Sequence, residues 1–265
     1  MKTEVYVLTH KKINENYKCP PYVPLLNGSI FSDDDFGYLR DDVGDNISEL
    51  NIYYAELTGQ YWAWKHSDAD IIGFCQYRRW FVRNIFGDKL TVDDIQNDLE
   101  NFDIILPQKT NSHDILREGI QKAISLNPDY GAKWEDYIKL ENLIKNKFSD
   151  YYSSYQYLMN SKGGYNCNMF ICKKEVADEY FSWLFDVLNE LKQVIDFSSY
   201  PDDNQRILGF FSEYLLNVFV YKKGLSIKER YIINTDRKFP IVTILGSKFP
   251  FLKSIENNLI NYKNK

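Results

Sequence analysis

Two adjacent arginines follow an apolar run and are the strongest candidates for chemistry in this 265-residue sequence. Residues 71–75 (IIGFC) have the continuous apolar character of a strand that is buried on both faces. This run continues directly into Gln76, Tyr77, Arg78 and Arg79. A cation beside a buried strand is costly unless it meets a carboxylate or a phosphate. The pair therefore indicates either an anion site or a salt bridge to nearby acidic residues.

An acidic loop before this strand offers such carboxylates. Seven acidic residues fall between positions 33 and 49. Asn46, with Glu49 three residues later, has the spacing of a helix capping box, so helix initiation accounts for part of the signal. The surplus carboxylates exceed what capping needs and are candidates for binding: Asp41, Asp42 and Asp45.

Polar groups also follow the first apolar run, residues 4–9, which predicts a central parallel strand ending at Thr9. His10 and Lys11 would then lie at the carboxyl end of that strand, where phosphates or nucleobases bind. A solvated strand exit is the simpler explanation of the same residues.

The second half of the chain supplies amides and acids. Residues 165–174 predict a strand on which Asn166 and Asn168 share one face, so that they either join neighbouring loops or bind ligand hydroxyl groups. Glu213 stands in an otherwise apolar helical stretch, and a carboxylate near an apolar wall acquires the raised pKa of a general base. A salt bridge to Arg206 or Arg78 is the alternative for Glu213. Asp202, just before that helix, is the second candidate base.

An α/β fold would position these residues. Further strands are predicted at residues 102–107 and 227–233, and helices at 90–101, 175–195 and 204–223. Residues 111–160 are predicted to form an inserted helical lobe. We expect one domain over residues 1–265, with a ligand-binding half at 1–110, a second half at 161–235 and a tail at 236–265.

Composition narrows the classes of function. The net charge of −5 argues against nucleic acid as a partner, which demands a basic surface. Four cysteines without CxxC spacing favour a reduced, cytoplasmic setting. No signal peptide and no spanning segment are expected. The basic, aromatic tail at 247–265 is interpreted as a terminal helix that packs onto the domain, with contact to the inner face of a membrane as the alternative. Nucleotide-binding glycine motifs, HExxH and catalytic triads are missing, and the Asp68–Asp70 pair precedes its strand rather than following it.

Several ordered segments resemble one known family. DDVGDNISELN, ELTGQYWAWK, IIGFCQYRRWF, FDIILP, NMFI and RILGFFSE are similar to the landmarks of the DUF4422 family, glycosyltransferases of bacterial capsule, exopolysaccharide and lipopolysaccharide clusters. The resemblance implies a GT-A-like fold with a Rossmann-type mixed, mainly parallel sheet flanked by helices. The family usually has HYRR where this chain has QYRR, and often a His shortly before NMFI.

The resemblance also implies a division of roles. The donor would be a nucleotide sugar, UDP-hexose by default with galactose or galactofuranose as candidates, and the acceptor an oligosaccharide or an undecaprenyl-diphosphate-linked glycan. Arg78, with Arg79 or Lys11, would neutralise the leaving diphosphate; no cofactor is expected, and a divalent metal is left open. The donor site would include Thr9, His10, Asp42, Asp45, Asn46, Gln76 and Tyr77, and the acceptor site Tyr165, Asn166 and Asn168. Glu213 or Asp202 would be the base. A non-catalytic sugar-binding module and an assembly scaffold are the alternatives.

Overall fold

The protein was analysed as a computed structural model, which describes residues 1–13, 19–84, 86–127, 131–201 and 204–236. Within these residues a mixed sheet of eight strands has the order β3-β2-β1-β4-β5-β10-β6-β9. Its strands are β1 (Thr3–Thr9), β2 (Tyr22–Leu26), β3 (Leu39–Arg40), β4 (Ile71–Gln76), β5 (Arg79–Val82), β6 (Ile104–Pro107), β9 (Phe170–Lys173) and β10 (Ile227–Asn234). A small second pair joins β7 (Thr110–Asn111) to β8 (Gly163–Gly164).

Eight α-helices are described along the same part of the chain. They are α1 (Asn51–Tyr54), α2 (Leu57–His66), α3 (Val92–Asn101), α4 (Leu116–Leu126), α5 (Trp134–Lys147), α6 (Tyr152–Met159), α7 (Lys174–Lys192) and α8 (Ile207–Lys223). Local sequence explains several of their ends. Thr91 and Asp94 form a reciprocal capping box at the start of α3, and Gly224 ends α8 in the left-handed conformation with a φ of 62°.

The sheet is less parallel than the sequence predicts. β1, β2, β3 and β4 form a parallel group, and β10 runs parallel to β6. Antiparallel ladders join β5 to β4 and β10, and β9 to β4 and β6. The expectation of a mainly parallel sheet is therefore corrected to a mixed one, in which the parallel group forms only one side.

The register of the parallel group aligns its strand ends. Thr9 of β1 pairs with Leu26 of β2, and Leu8 pairs with Gln76 of β4. The carboxyl ends of three neighbouring strands therefore meet at one edge of the sheet. The second edge of β4 is shared, because β9 pairs with its first part and β5 begins to pair only at Gln76. The segment after β4 therefore lies between the parallel strands on one side of β4 and the antiparallel strands on its other side.

Two apolar cores cover the two faces of the sheet. Alternate residues of β1 divide between them, with Tyr6 and Leu8 in the larger core and Val5 and Val7 in the smaller. The larger core holds residues of α2 and of α4 to α8, and the smaller holds Ile95 and Leu99 of α3. The helices between residues 111 and 160, predicted as an insertion, therefore share the core of α7 and α8.

Three local predictions need correction. The expected continuous helix after the acidic loop is a 3-10 turn (Ser48–Leu50) followed by α1 and α2, separated at Ala55 with φ 49°. Asn46 accepts a hydrogen bond from Ser48 N at 3.1 Å within its own turn instead of forming a capping box with Glu49. The strand expected from residue 165 begins only at Phe170. No helix among the described residues is long and apolar enough to cross a bilayer.

Candidate functional site

A cleft of about 510 Å³ opens at the carboxyl ends of β1, β2 and β4. One side is formed by the ends of these strands and by the turn between β4 and β5, and the facing side by α8 and the α1–α2 junction. The lining residues are Leu8, His10, Asn27, Asn51, Ile52, Ala55, Glu56, Gln76, Tyr77, Arg78, Arg79, Gln205, Arg206, Gly209, Phe210 and Glu213. Its size is that of a small-molecule site, and this edge is where ligands bind in open α/β sheets.

Glu213 points from α8 into this cleft. Its Oε2 accepts a hydrogen bond from the backbone N–H of Cys167 at 3.0 Å. The residue keeps partial exposure to the cleft, yet desolvation by the surrounding protein raises its pKa to about 7, with the Cys167 N–H and the charge of Arg79 acting in the opposite direction. The described ion pairs do not include one from Glu213 to Arg206 or Arg78, the alternative considered from sequence. A carboxylate with this pKa can accept a proton near neutral pH.

A second acid, Glu56, lines the same cleft. It lies just before α2, where the helical conformation is interrupted at Ala55. Its Oε1 accepts a hydrogen bond from Nδ2 of Asn168 at 2.8 Å. Desolvation raises its pKa above the usual value, and the bond from Asn168 and the charges of Arg206 and Arg79 oppose that effect. Sequence reasoning missed Glu56, because a glutamate at a helix start is typical of ordinary helix initiation.

The turn at Cys167 and Asn168 holds both acids. Both residues have positive φ, 81° and 49°, a conformation that asparagine tolerates better than most residues. Nδ2 of the buried Asn168 also lies 2.7 Å from Oγ of Ser212 and 3.1 Å from the carbonyl oxygen of Gly209, both on α8. The prediction that Asn166 and Asn168 share a strand face is therefore wrong. Asn168 supports the cleft wall from behind.

Positive charge gathers around Tyr77 at the opposite side of the cleft. Nζ of Lys11 lies 4.5 Å from the centre of the Tyr77 ring, the guanidinium carbon of Arg78 5.4 Å from it, and the His10 ring packs edge-on at 4.9 Å. Burial, followed by the charges of Lys11 and Arg78, lowers the pKa of His10, which keeps the imidazole neutral at pH 7. The cleft therefore presents the cation of Arg78 and the neutral ring of His10 at this side, and Lys11 adds a second cation on the Tyr77 ring just outside the lining.

Arg78 and Arg79 differ in their partners. The side chain of Arg78 is 39% exposed and its Nη1 lies 3.6 Å from Oδ2 of Asp236, whereas its buried Nε has no hydrogen-bond partner among the described residues. Arg79 donates to Oε1 of Gln76, and Nε2 of Gln76 donates to the carbonyl oxygen of Cys167 at 2.9 Å. Arg78 is thus accessible to a ligand, and Arg79 is tied to the turn that holds the acids.

Comparisons with known proteins identify the family and the fold. The model of the Domain of unknown function (DUF4422) family matches residues 4–224. The chain belongs to the DUF4422 family. No curated protein matches it. Among solved structures, the apo structure of the WbbM bifunctional glycosyltransferase is similar, with a TM-score of 0.72 and 24% sequence identity over 88% of this chain. The match spans only 45% of WbbM, and at this identity it shows a shared fold.

The acidic loop of this DUF4422 chain has structural partners. Asp41 is fully buried and accepts hydrogen bonds from the backbone N–H groups of Gly28 and Ser29 and from the hydroxyl groups of Ser29 and Ser48. Asp42 pairs with Arg40 at 2.7 Å, and Asp45 accepts from the Tyr61 hydroxyl at 3.0 Å. The structure does not bring Asp42, Asp45 or Asn46 to the cleft wall, because these side chains fix the loop itself.

Four further residues predicted as site residues are not among those that line the cleft: Thr9, Lys11, Tyr165 and Asn166. Thr9 is buried, and its Oγ1 donates to the carbonyl oxygen of Lys11 at 2.6 Å. The Tyr165 hydroxyl donates to Glu229 at 3.1 Å, and the exposed Asn166 donates to Oγ1 of Thr110 at 3.1 Å. Asp202 lies outside the described residues, as does the tail at 247–265, for which membrane contact was the alternative interpretation. No cluster of three or more His, Cys, Asp or Glu side chains suited to a metal occurs within the described ranges.

Proposed function

We propose that this protein is a glycosyltransferase that moves a hexose from a nucleotide sugar, UDP-linked by default, to a growing cell-surface polysaccharide or a lipid-linked oligosaccharide. The observation that carries the proposal is the cleft, in which Glu213, with a pKa of about 7, lies across from Arg78 and the Tyr77 cluster of cations. A base and fixed cations at two sides of one cleft are what displacement of a nucleoside diphosphate by a hydroxyl group requires. The fold shared with a solved glycosyltransferase supports the same reaction class.

In the proposed reaction the acceptor hydroxyl attacks the anomeric carbon of the donor. The new oxygen–carbon bond forms as the bond from that carbon to the diphosphate oxygen breaks, and the hydroxyl proton passes to the carboxylate of Glu213. The nucleoside diphosphate leaves with the bonding electrons. A pKa of about 7 suits a base that must both take and release a proton in each turnover near neutral pH.

Arg78 and Lys11 would stabilise the departing diphosphate. The charge on its oxygens grows as the glycosidic bond breaks, and fixed cations act on that charge without reorganisation. The guanidinium group of Arg78 can meet two phosphate oxygens at once, and its partner Asp236 is itself 53% exposed, so the existing pair gives weak competition. Galactose and galactofuranose are the donor sugars we would test first.

The test is a transfer assay with the Glu213→Gln variant. The substitution keeps the shape of the side chain and an oxygen that can accept from Cys167 N, but it removes the base. We expect turnover of UDP-hexose to fall by about 10² to 10⁴ while the dissociation constant of the donor stays unchanged. Glu118→Gln, which changes an exposed glutamate of α4, is the matched control. Turnover near the wild-type rate in Glu213→Gln would remove Glu213 from this role, and a wild-type protein that neither transfers nor hydrolyses any nucleotide sugar would indicate a binding module.

A further inference from the structure

Glu56 is a carboxylate in the cleft wall that the proposed reaction does not use. It stands beside α8 at a point where the helix has no side chain. A Cβ atom added at Gly209 would lie 3.3 Å from Cβ of Ala55 and 3.8 Å from Oε2 of Glu56, so the chain around Ala55 and Glu56 passes close to the backbone of α8. Gly209 and Glu213 are four residues apart in α8 and therefore lie on the same face of the helix. The two acids thus occupy neighbouring positions along one helix face.

One turn fastens both carboxyl groups to this face. The N–H of Cys167 donates to Glu213, and the side chain of the next residue, Asn168, donates to Glu56. The same Asn168 amide also approaches the Gly209 carbonyl oxygen and the Ser212 hydroxyl of α8. Gln60 of α2 donates to the Asn168 carbonyl oxygen at 2.8 Å and fixes the turn from the other side. Such a turn holds the two carboxyl groups at a set separation.

The charged groups around the pair come from several elements. Arg79 of β5 acts on both acids, and Arg206, at the start of α8, acts on Glu56. Glu56 in turn raises the pKa values of Glu213, of Cys167 and of Tyr180 on α7. Because the charge of Glu56 acts on Glu213, the two carboxylates do not ionise independently, and their protons leave in two steps that belong to the pair.

We propose that Glu56 is a positioning residue for the transfer: held against α8 by Asn168, it forms a coupled pair with Glu213 and sets the pH at which Glu213 takes the acceptor's proton. This inference rests on the proposed function, in which Glu213 is the base. The proton of the acceptor hydroxyl goes to Glu213, and Glu56 touches neither substrate. The negative charge of Glu56 makes Glu213 a stronger base than a single carboxylate in the same wall.

The first test is the pH profile of transfer by Glu56→Gln. Glutamine keeps an oxygen for the Asn168 bond and removes only the charge, so the acid limb of kcat should move to lower pH by about one unit and the plateau rate should fall. Glu56→Asp, which retains the charge, should return the limb toward its wild-type position, and Glu118→Gln should leave it unmoved. An unmoved acid limb in Glu56→Gln, or an equal loss of rate at every pH, overturns the inference.

The second test needs no catalysis. In protein labelled with ¹³C at the glutamate carboxyl carbons, NMR titration should show Glu213 titrating at lower pH in Glu56→Gln, and Glu56 titrating at lower pH in Glu213→Gln, because coupling is reciprocal. Titration of each acid unaffected by removal of the other overturns the pairing. If instead Glu213→Gln transfers sugar at the wild-type rate while the NMR coupling is present, the proposed base is wrong and the pair stands.

Discussion

Arg78 and Arg79 are adjacent in the sequence but belong to different parts of the site. Arg79 donates to Gln76, lies within the electrostatic reach of both acids, and lowers the pKa of Glu213. Arg78 faces the Tyr77 side, where Lys11 adds a second cation. At the scale of single residues, Arg79 therefore acts on the proposed base, and Arg78 is placed to act on the proposed leaving group.

The first prediction concerns Arg78. Its replacement by alanine removes a charge-assisted contact to phosphate that contributes about 2 kcal/mol, so the dissociation constant of the donor should rise about thirtyfold. Arg78→Lys should recover part of this loss, because lysine keeps the charge without the planar fork. The matched control is Arg83→Ala, an exposed arginine just beyond β5 that pairs with Asp88. Isothermal titration with UDP measures the constants, and equal affinity in Arg78→Ala and Arg83→Ala would contradict the assignment.

The second prediction concerns the stability cost of Glu213. Its carboxyl is protonated in both states below about pH 4.5, and the folded state releases its proton only near pH 7. Between these values the folded state binds more protons, so this residue costs stability as the pH rises through that window. Glu213→Gln should therefore match the wild type at pH 4.5 and exceed it at pH 8 by up to about 3 kcal/mol. Urea unfolding at both pH values measures this difference, and a gap independent of pH would refute it.

At the scale of elements, local sequence patterns predicted the positions of single strands and helices better than they predicted which strands pair in the sheet. Seven elements begin and end close to their predicted bounds: β1, β4, β6, β10, α3, α7 and α8. They were predictable because the local pattern of apolar residues shows which side of a strand or helix is buried. β5 was not predicted, since it turns back from β4 across Tyr77 and Arg78 without a glycine or asparagine turn signal. The antiparallel placement of β9 between β4 and β6 depends on residues far away in the chain, which no local pattern contains.

Local sequence likewise predicted some residues of the site, whereas others depend on the fold. Gln76, Tyr77, Arg78, Arg79 and Glu213 stand out in the sequence as polar residues beside apolar runs, and the structure places all of them in one cleft. The acidic loop stands out as strongly, yet the carboxylates of Asp41, Asp42 and Asp45 bond to protein donors that do not line the cleft. Sequence cannot separate the two cases, because the partner of a carboxylate depends on the fold. Glu56 and the Cys167 turn were missed for the same reason.

The third prediction tests the turn that joins α8 to the acids. Asn168→Ala removes a buried amide that bonds Glu56 and α8, and alanine tolerates the positive φ of this position less well than asparagine, so the free energy of unfolding should fall by about 3 kcal/mol. Asn168→Gly, which tolerates the backbone, should lose about 1 kcal/mol less. Asn166→Ala, two residues away and exposed, should stay within about 0.5 kcal/mol of the wild type. Urea unfolding ranks the three, and equal losses at both positions would contradict the role of Asn168.

At the scale of the whole molecule, the cleft lies between two parts of the chain that share one core. Its sheet side comes from residues before position 80, and its facing side combines the α1–α2 junction with residues after 204. Tyr6, Phe74 and Phe211 belong to the same buried cluster, which also contains Leu140 and Leu158 of the predicted insertion. A ligand that contacts both the sheet and α8 therefore joins two parts of one continuous core, and its binding should stabilise the whole fold against unfolding.

The last prediction follows from that continuity and from the cations around Tyr77. A nucleotide that binds only the folded state should stabilise the protein by about 2.7 kcal/mol at one hundred times its dissociation constant, which corresponds to a rise in Tm of roughly 5–10 °C. Because Arg78 and Lys11 supply the positive charge, UDP or UDP-hexose should give this rise in EDTA as well as in Mn²⁺. Because the proposed donor is UDP-linked, the rise should also be larger than with GDP, CMP or dTDP. Arg78→Ala should reduce the rise, and Arg83→Ala should not. A rise that disappears in EDTA and returns with Mn²⁺ would show that a metal, rather than Arg78, carries the diphosphate.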